Sequence, residues 1–121
     1  MPPTQRPDRP PHLSAEHHEI DGVRVVTLRG EIDRDVQDVL REALLGGTGE
    51  ASERIVADLA GVTFMDSSGI NVLLAAHLQT KAAQGWVRIA GARRPVLRVL
   101  QMTGVDTLIT CHPTIEQALT T

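Results

Sequence analysis

The residues best placed to do chemistry form one run, Asp66-Ser67-Ser68-Gly69, preceded by Phe64-Met65 and followed by Ile70-Asn71. Two adjacent hydroxyls beside a carboxylate, at the head of an apolar helical pattern, suit two jobs. A serine there can accept a hydrogen bond from the first free backbone N–H groups as an N-cap. A phosphate on a serine would be held by the same N–H groups and by the helix dipole. Asp66 with two serines is more than a cap requires. Ser68, nearer the helix body, is therefore read as the cap, and Ser67, nearer the preceding loop, as the residue open to modification. Serine caps are common, so this permits phosphorylation without singling it out.

Other chemistries fit less well. Ser67, Asp106 and His112 occur in the chain order of an α/β-hydrolase triad, but the residue two before Ser67 is Met65, where a nucleophile elbow needs glycine. The chain is not read as an enzyme. Gly46-Gly47-Thr48-Gly49 lacks the Lys-Ser/Thr of a phosphate-cradling loop and reads as a helix terminus. His12, His17, His18, Cys111 and His112 have no zinc-ligand spacing. No metal and no cofactor is expected. His77, on an apolar stripe, reads as a core or boundary histidine.

Composition narrows the partners. Lys and Arg total 12 against 15 Asp and Glu, a poor balance for gripping nucleic-acid phosphates. Phe64 and Trp86 are the only aromatics, too few for a base-stacking surface. The cluster Arg93, Arg94 and Arg98 reads as a solvated helix face. No apolar run approaches the roughly 20 residues of a membrane helix, so neither direct nucleic-acid nor membrane binding is expected. Cys111 is the single cysteine and excludes an intramolecular disulfide. A cytoplasmic protein is expected. Residues 1–12 hold five prolines and no apolar face, and read as a disordered tail, leaving 13–121 as one domain.

These residues need a scaffold, and its elements are readable. His17–Ile20 predicts a short edge strand, Asp21-Gly22 a hairpin turn, and Val23–Arg29 a strand closed by Gly30. Asp33 is a candidate N-cap for a helix with Val36, Val39, Leu40, Ala43 and Leu44 on one stripe. Ile55–Ala57 with Leu59 predicts a central strand, and the stretch Asp58–Ile70 is expected to run from the end of that strand, through a loop, into the start of the next helix. Ile70, Leu73, Leu74, His77 and Leu78 define the next stripe, with Gly85 as its terminal cap. Trp86–Ala90 predicts a strand. Pro95 is expected as the first residue of a helix ending near Gly104. Leu108–Cys111 predicts a last strand, and Pro113 opens a final helix with Ile115, Ala118 and Leu119. The order predicts an α/β domain: a mixed sheet of four to five strands packed against about four helices.

Three motifs in order carry a resemblance. Asp58-Leu59 with Phe64-Met65-Asp66-Ser67-Ser68-Gly69-Ile70 resembles the signature of the STAS domain as found in bacterial anti-sigma factor antagonists. Leu28-Arg29-Gly30-Glu31-Ile32-Asp33 resembles that family's strand ending in Gly-Glu-Leu-Asp, and Met102-Thr103-Gly104-Val105 its turn before the last helix. The resemblance spans about residues 17–119. It implies a partner-switching role. The unphosphorylated antagonist binds an anti-sigma factor, often itself a serine kinase, and so releases a sigma factor. Phosphorylation of the first serine, here Ser67, ends that binding, and a serine phosphatase restores it. The resemblance places Asp33 and Asp66 around the phosphoacceptor. The expected contact surface is Glu31, Asp33, Phe64, Met65, Asp66, Ser68, Gly69, Ile70 and Asn71. Asn71 departs from the glycine of many members, and the proline-rich tail is not explained by the family core. The alternatives are a STAS module of another signalling or transport complex, and a constitutive scaffold that is never phosphorylated.

Overall fold

Asp21 and Gly22 reverse the chain with φ of 53° and 81°, the positive values a tight hairpin needs. They join β1 (Leu13–Ile20) to β2 (Val23–Ile32) as an antiparallel pair. In this computed structural model, which describes residues 12–46 and 53–120, the remaining pairings are parallel. β3 (Arg54–Met65), β4 (Trp86–Ala90) and β5 (Cys111–His112) complete a five-stranded sheet in the order β1-β2-β3-β4-β5. Parallel neighbours require crossovers. These are α1 (Gln37–Leu45, after a 3-10 turn at Arg34–Val36), α2 (Ser67–Ala82) and α3 (Arg94–Met102); α4 (Ile115–Thr120) follows β5. The expected mixed α/β architecture is the one observed.

The sheet separates two apolar clusters. Leu28, Ile32, Leu59 and Ile89 pack beneath Leu40, Leu44, Leu73 and Leu100 of the three crossover helices. On the other face Val23, Val25, Val56 and Ala90 meet Ala118, Ile115 and Leu119 of α4.

Several elements differ from the sequence expectation. β1 begins at Leu13, which is buried, and not at His17. Gly30 does not close β2. It stays in the strand at φ 121°, where a Cβ would collide with the His12 carbonyl. β3 continues to Met65, so the loop expected between that strand and the next helix is strand as far as Met65, and Asp66 alone separates strand from helix. On α2 the buried set is Ile70, Val72, Leu73, Ala76 and Thr80, whereas Leu78 is 67% exposed. Gln84, at φ 63°, takes the left-handed position after α2, and the N–H of Gly85 closes the cap on Thr80 O at 2.7 Å. Gly85 itself is required where the chain passes the Glu53 carbonyl. Pro95 is the second residue of α3, after Arg94. The last strand shifts to Cys111–His112, because Val105–Thr107 form a 3-10 turn. α4 starts after Thr114, whose Oγ1 accepts from Gln117 N at 3.1 Å, leaving Pro113 ahead of the helix. Gly46 ends α1, its N–H on Glu42 O at 2.9 Å. The expected tail up to residue 11 and Gly47-Thr48-Gly49 lie outside the described residues.

Candidate functional site

The carboxyl ends of β2 and β3 lie side by side, with Glu31 opposite Phe64 and Ile32 opposite Met65. Each strand passes directly into a helical segment through one aspartate. Asp33 and Asp66 both keep extended backbones, and each carboxylate accepts from the N–H two residues on. Asp33 Oδ1 is 3.0 Å from Asp35 N, and Asp66 Oδ1 is 2.8 Å from Ser68 N. The Asp33 cap is as expected from the sequence. The cap of α2 is Asp66 and not Ser68. With β3 extending to Met65, Asp66 is the single residue between strand and helix, and its charge suits the positive end of the helix dipole.

Ser67 is therefore the first helical residue. It is exposed, and its hydroxyl has no partner among the described residues. Ser68 is half-buried. Beneath them Gly69 allows a close approach: a Cβ there would lie 2.7 Å from Met65 Cγ and 2.9 Å from Ile32 Cγ2. Its glycine thus serves packing of α2 on the strand ends, and not merely open access to the serines.

The structure sorts the expected contact surface by depth. Glu31, Phe64, Ser67 and Asn71 are exposed, Phe64 by 48%, which is unusual for so large an apolar side chain. Asp33, Asp66 and Ser68 are half-buried. Met65 (3% exposed) and Ile70 (6%) belong to the core, with Gly69 buried between them. These three support the surface from below and do not present side chains to it.

His12, which the sequence placed in the tail, joins this site. Its Nε2 lies 2.9 Å from Asp33 Oδ1, and its carbonyl accepts from Glu31 N at 3.0 Å. The hydrogen bond to Asp33 raises the His12 pKa above its ordinary value, and the same bond lowers that of Asp33. Nothing in the flanking prolines signals this contact; only Gly30, whose conformation admits the His12 backbone, bears on it. His12, Asp33 and Asp35 bring ligand-type atoms within 4.8 Å of one another, a grouping the His12–Asp33 bond accounts for.

The hydrolase arrangement does not assemble. His112 Nε2 bonds Thr110 Oγ1 at 2.9 Å, and β4 separates its strand from β3 and Ser67. Burial, aided by Asp106, raises the pKa of the Cys111 thiol, which disfavours the nucleophilic thiolate. No helix among the described residues is long and apolar enough to cross a membrane.

The site is thus a five-stranded sheet whose central strand β3 runs through a capping aspartate into a helix opened by an exposed serine, and comparison with known proteins identifies the class of domain. The STAS domain model matches residues 14–118. An anti-sigma F factor antagonist of Paenibacillus polymyxa is 31% identical over 109 residues, covering 89% of this chain and 92% of that one. The anti-sigma-F factor antagonist RsfA of Mycobacterium tuberculosis is 31% identical over 108 residues, covering 86% and 81%. The crystal structure of an anti-sigma factor antagonist from Mycobacterium paratuberculosis superposes with a TM-score of 0.81 at 30% identity, covering 95% of each chain. The chain belongs to the STAS domain family, among the anti-sigma factor antagonists. It is a binding protein and not an enzyme.

Proposed function

We propose that this chain binds an anti-sigma factor in its unphosphorylated state, thereby releasing a sigma factor, and that phosphorylation of Ser67 switches the binding off. In this reading the anti-sigma factor is also the serine kinase, a serine phosphatase resets the switch, and the circuit runs in the cytoplasm. The observation that carries the proposal is the position of Ser67: exposed, first in α2, and uncommitted because Asp66 does the capping. A phosphate there gains the helix N-terminus, so the free domain tolerates it. The same phosphate adds about −1.5 to −2 charges beside Asp66, at the centre of the surface formed by Glu31, Phe64 and Asn71. A partner docked on that surface must desolvate the added charge, so the complex is weakened while the fold stays intact.

The test combines labelling and binding with the cognate kinase. Mass spectrometry of the kinase-treated protein should find phosphate on Ser67. Ser67→Ala should block labelling yet bind the anti-sigma factor. Ser67→Asp should fold normally and bind weakly, as an incomplete mimic of the phosphate. Phosphate on Ser68 with Ser67 unmodified would overturn the site, and unweakened binding by the phosphoprotein would overturn the switch.

A further inference from the structure

α2 is apolar on both sides, and only one side is covered. Its inner face buries Ile70, Val72, Leu73 and Ala76 in the core. Its outer face carries Ser67, Asn71, Leu74 and Leu78, spaced by four, three and four residues, which sets them in one line along the helix. Ser67 and Asn71 are exposed, Leu74 is half-buried, and Leu78 is 67% exposed. A helix with one free side keeps polar residues there, whereas a helix that is apolar all round is one that is covered all round.

A single exposed leucine carries no meaning. Leu78 continues a line that starts at Ser67, and Phe64, 48% exposed, stands three residues before Ser67 at the other end of it. Eleven residues separate Ser67 from Leu78, roughly 16 Å at the helical rise. The outer line of α2 is therefore continuous with the surface around the serine.

Size points the same way. Glu31, Phe64, Ser67 and Asn71 are only a handful of exposed residues, whereas a stable interface of ordinary size uses about 20–30 residues a side. A partner seated over Ser67 must spread beyond them. Toward α1 the next exposed side chains are Arg34, Asp35 and Asp38, all charged, and charge is depleted from interface cores. Along α2 they are Leu74 and Leu78, so the apolar part of the footprint runs down that helix. The N–H and C=O groups of a helix are spent within it, so an isolated extended segment would find no backbone partners on this face. A segment lying there must satisfy its own backbone and present an apolar stripe, as an amphipathic helix does.

We propose that Leu74 and Leu78 extend the partner-binding surface and dock an amphipathic helix of the anti-sigma factor, whose apolar residues, three or four apart, pack against them. The inference rests on the reading of the Ser67 surface as the contact with that protein. One end of the contact is then controlled by charge at Ser67, and the other is selected by apolar fit at Leu78.

Leu78→Glu tests this in the full chain. The position is exposed and glutamate is a good helix former, so the urea midpoint should not move. Titrated with the anti-sigma factor, the variant should bind about tenfold more weakly or worse, because its carboxylate is buried against an apolar stripe. Leu78→Met should keep the affinity of the unchanged protein. Met102→Glu, at a position 78% exposed at the end of α3, should keep it as well. Cross-saturation NMR from the partner should reach the Leu74 and Leu78 methyl groups. If Leu78→Glu lowers the urea midpoint, Leu78→Ala and the cross-saturation decide the question. Full affinity in Leu78→Glu, or no transfer to those methyl groups, while phosphorylation of Ser67 still weakens binding, overturns the inference and leaves the Ser67 reading standing. Full affinity in both Leu78→Glu and the phosphoprotein overturns both. An equal loss in Met102→Glu would trace the effect to added negative charge and overturn the inference. So would self-association of the free protein that Leu78→Glu abolishes, by assigning the stripe to a second copy.

Discussion

Asp66 is tied to Ile32 by a backbone hydrogen bond of 3.1 Å, from the Asp66 N–H to the Ile32 carbonyl, at the point where β2 and β3 both end. The residue that caps α2 is therefore fixed to the neighbouring strand as well as to its own. Ser67 follows it immediately, so its position is set by two strands and a cap, which suits a site recognised by another protein.

Removal of that cap should be felt in stability. Asp66→Ala is expected to cost about 0.5–2 kcal/mol, the usual value of a lost N-cap. Ser68→Ala should stay within about 0.5 kcal/mol, because its side chain caps nothing. Urea unfolding of the two variants separates them. A larger loss for Ser68→Ala than for Asp66→Ala would return the cap to the serine.

The sequence showed the site more clearly than the strand leading to it, for a physical reason. Along β3 the buried residues after Ala57 are Leu59, Val62 and Met65, spaced by three. A regular strand buries every second residue. The register against β2 slips between Thr27 and Arg29 and again between Gly30 and Glu31, and each slip inserts an extra residue into β3. Such bulges reset the alternation, so a strand-period reading stops at Leu59 and reports a loop. α2 was misread in another way. Ile70, Val72, Leu73, Leu74, Ala76 and Leu78 are apolar nearly all round, so the pattern reveals a helix but not which side is buried. His12 was illegible because its contact depends on the backbone at Gly30, nearly twenty residues later. By contrast the hairpin turn and the Asp33 cap depend on local chemistry, and both were readable.

Gly69 should resist even the smallest side chain. Gly69→Ala places a methyl 2.7 Å from Met65 Cγ and 2.9 Å from Ile32 Cγ2, both in the core. Overpacking of this kind costs about 1–3 kcal/mol. Denaturant titration measures it. A neutral result would mean that the first turn of α2 lifts from the strand ends without penalty.

The His12–Asp33 pair should titrate in a defined window. The raised His12 pKa means the folded state holds that proton more tightly. The contact is thus fully present below the ordinary value of 6.5 and is lost as pH climbs through the raised value. The lowered Asp33 pKa means its contribution holds above the ordinary 3.8 and disappears as pH falls through the lowered value. The pair is closed between those limits. Histidine ring resonances followed by NMR should show His12 titrating above 6.5 and returning toward it in Asp33→Asn. Titration of His12 unchanged by that substitution would show that the bond does not persist in solution. Deletion of residues 1–11, which leaves His12 in place, should not move the thermal midpoint.

Phe64 should matter to binding and hardly at all to folding. It is 48% exposed, stands opposite Glu31 across the β2–β3 pairing, and lies three residues before Ser67. An aromatic ring left half in water has little packing to lose, so Phe64→Ala should change stability by no more than about 1 kcal/mol. At an interface the same ring is the kind of side chain that dominates affinity, where truncation commonly costs about 2 kcal/mol or more. Binding of the anti-sigma factor should therefore fall by about thirtyfold. Glu31→Ala, a rim charge, should have a smaller effect that fades with salt. Calorimetric titration of the three proteins at two salt concentrations provides the comparison. Full affinity in Phe64→Ala would place the contact surface elsewhere on the domain, whereas a loss of affinity accompanied by unfolding would mean that Phe64 supports the strand ends from outside.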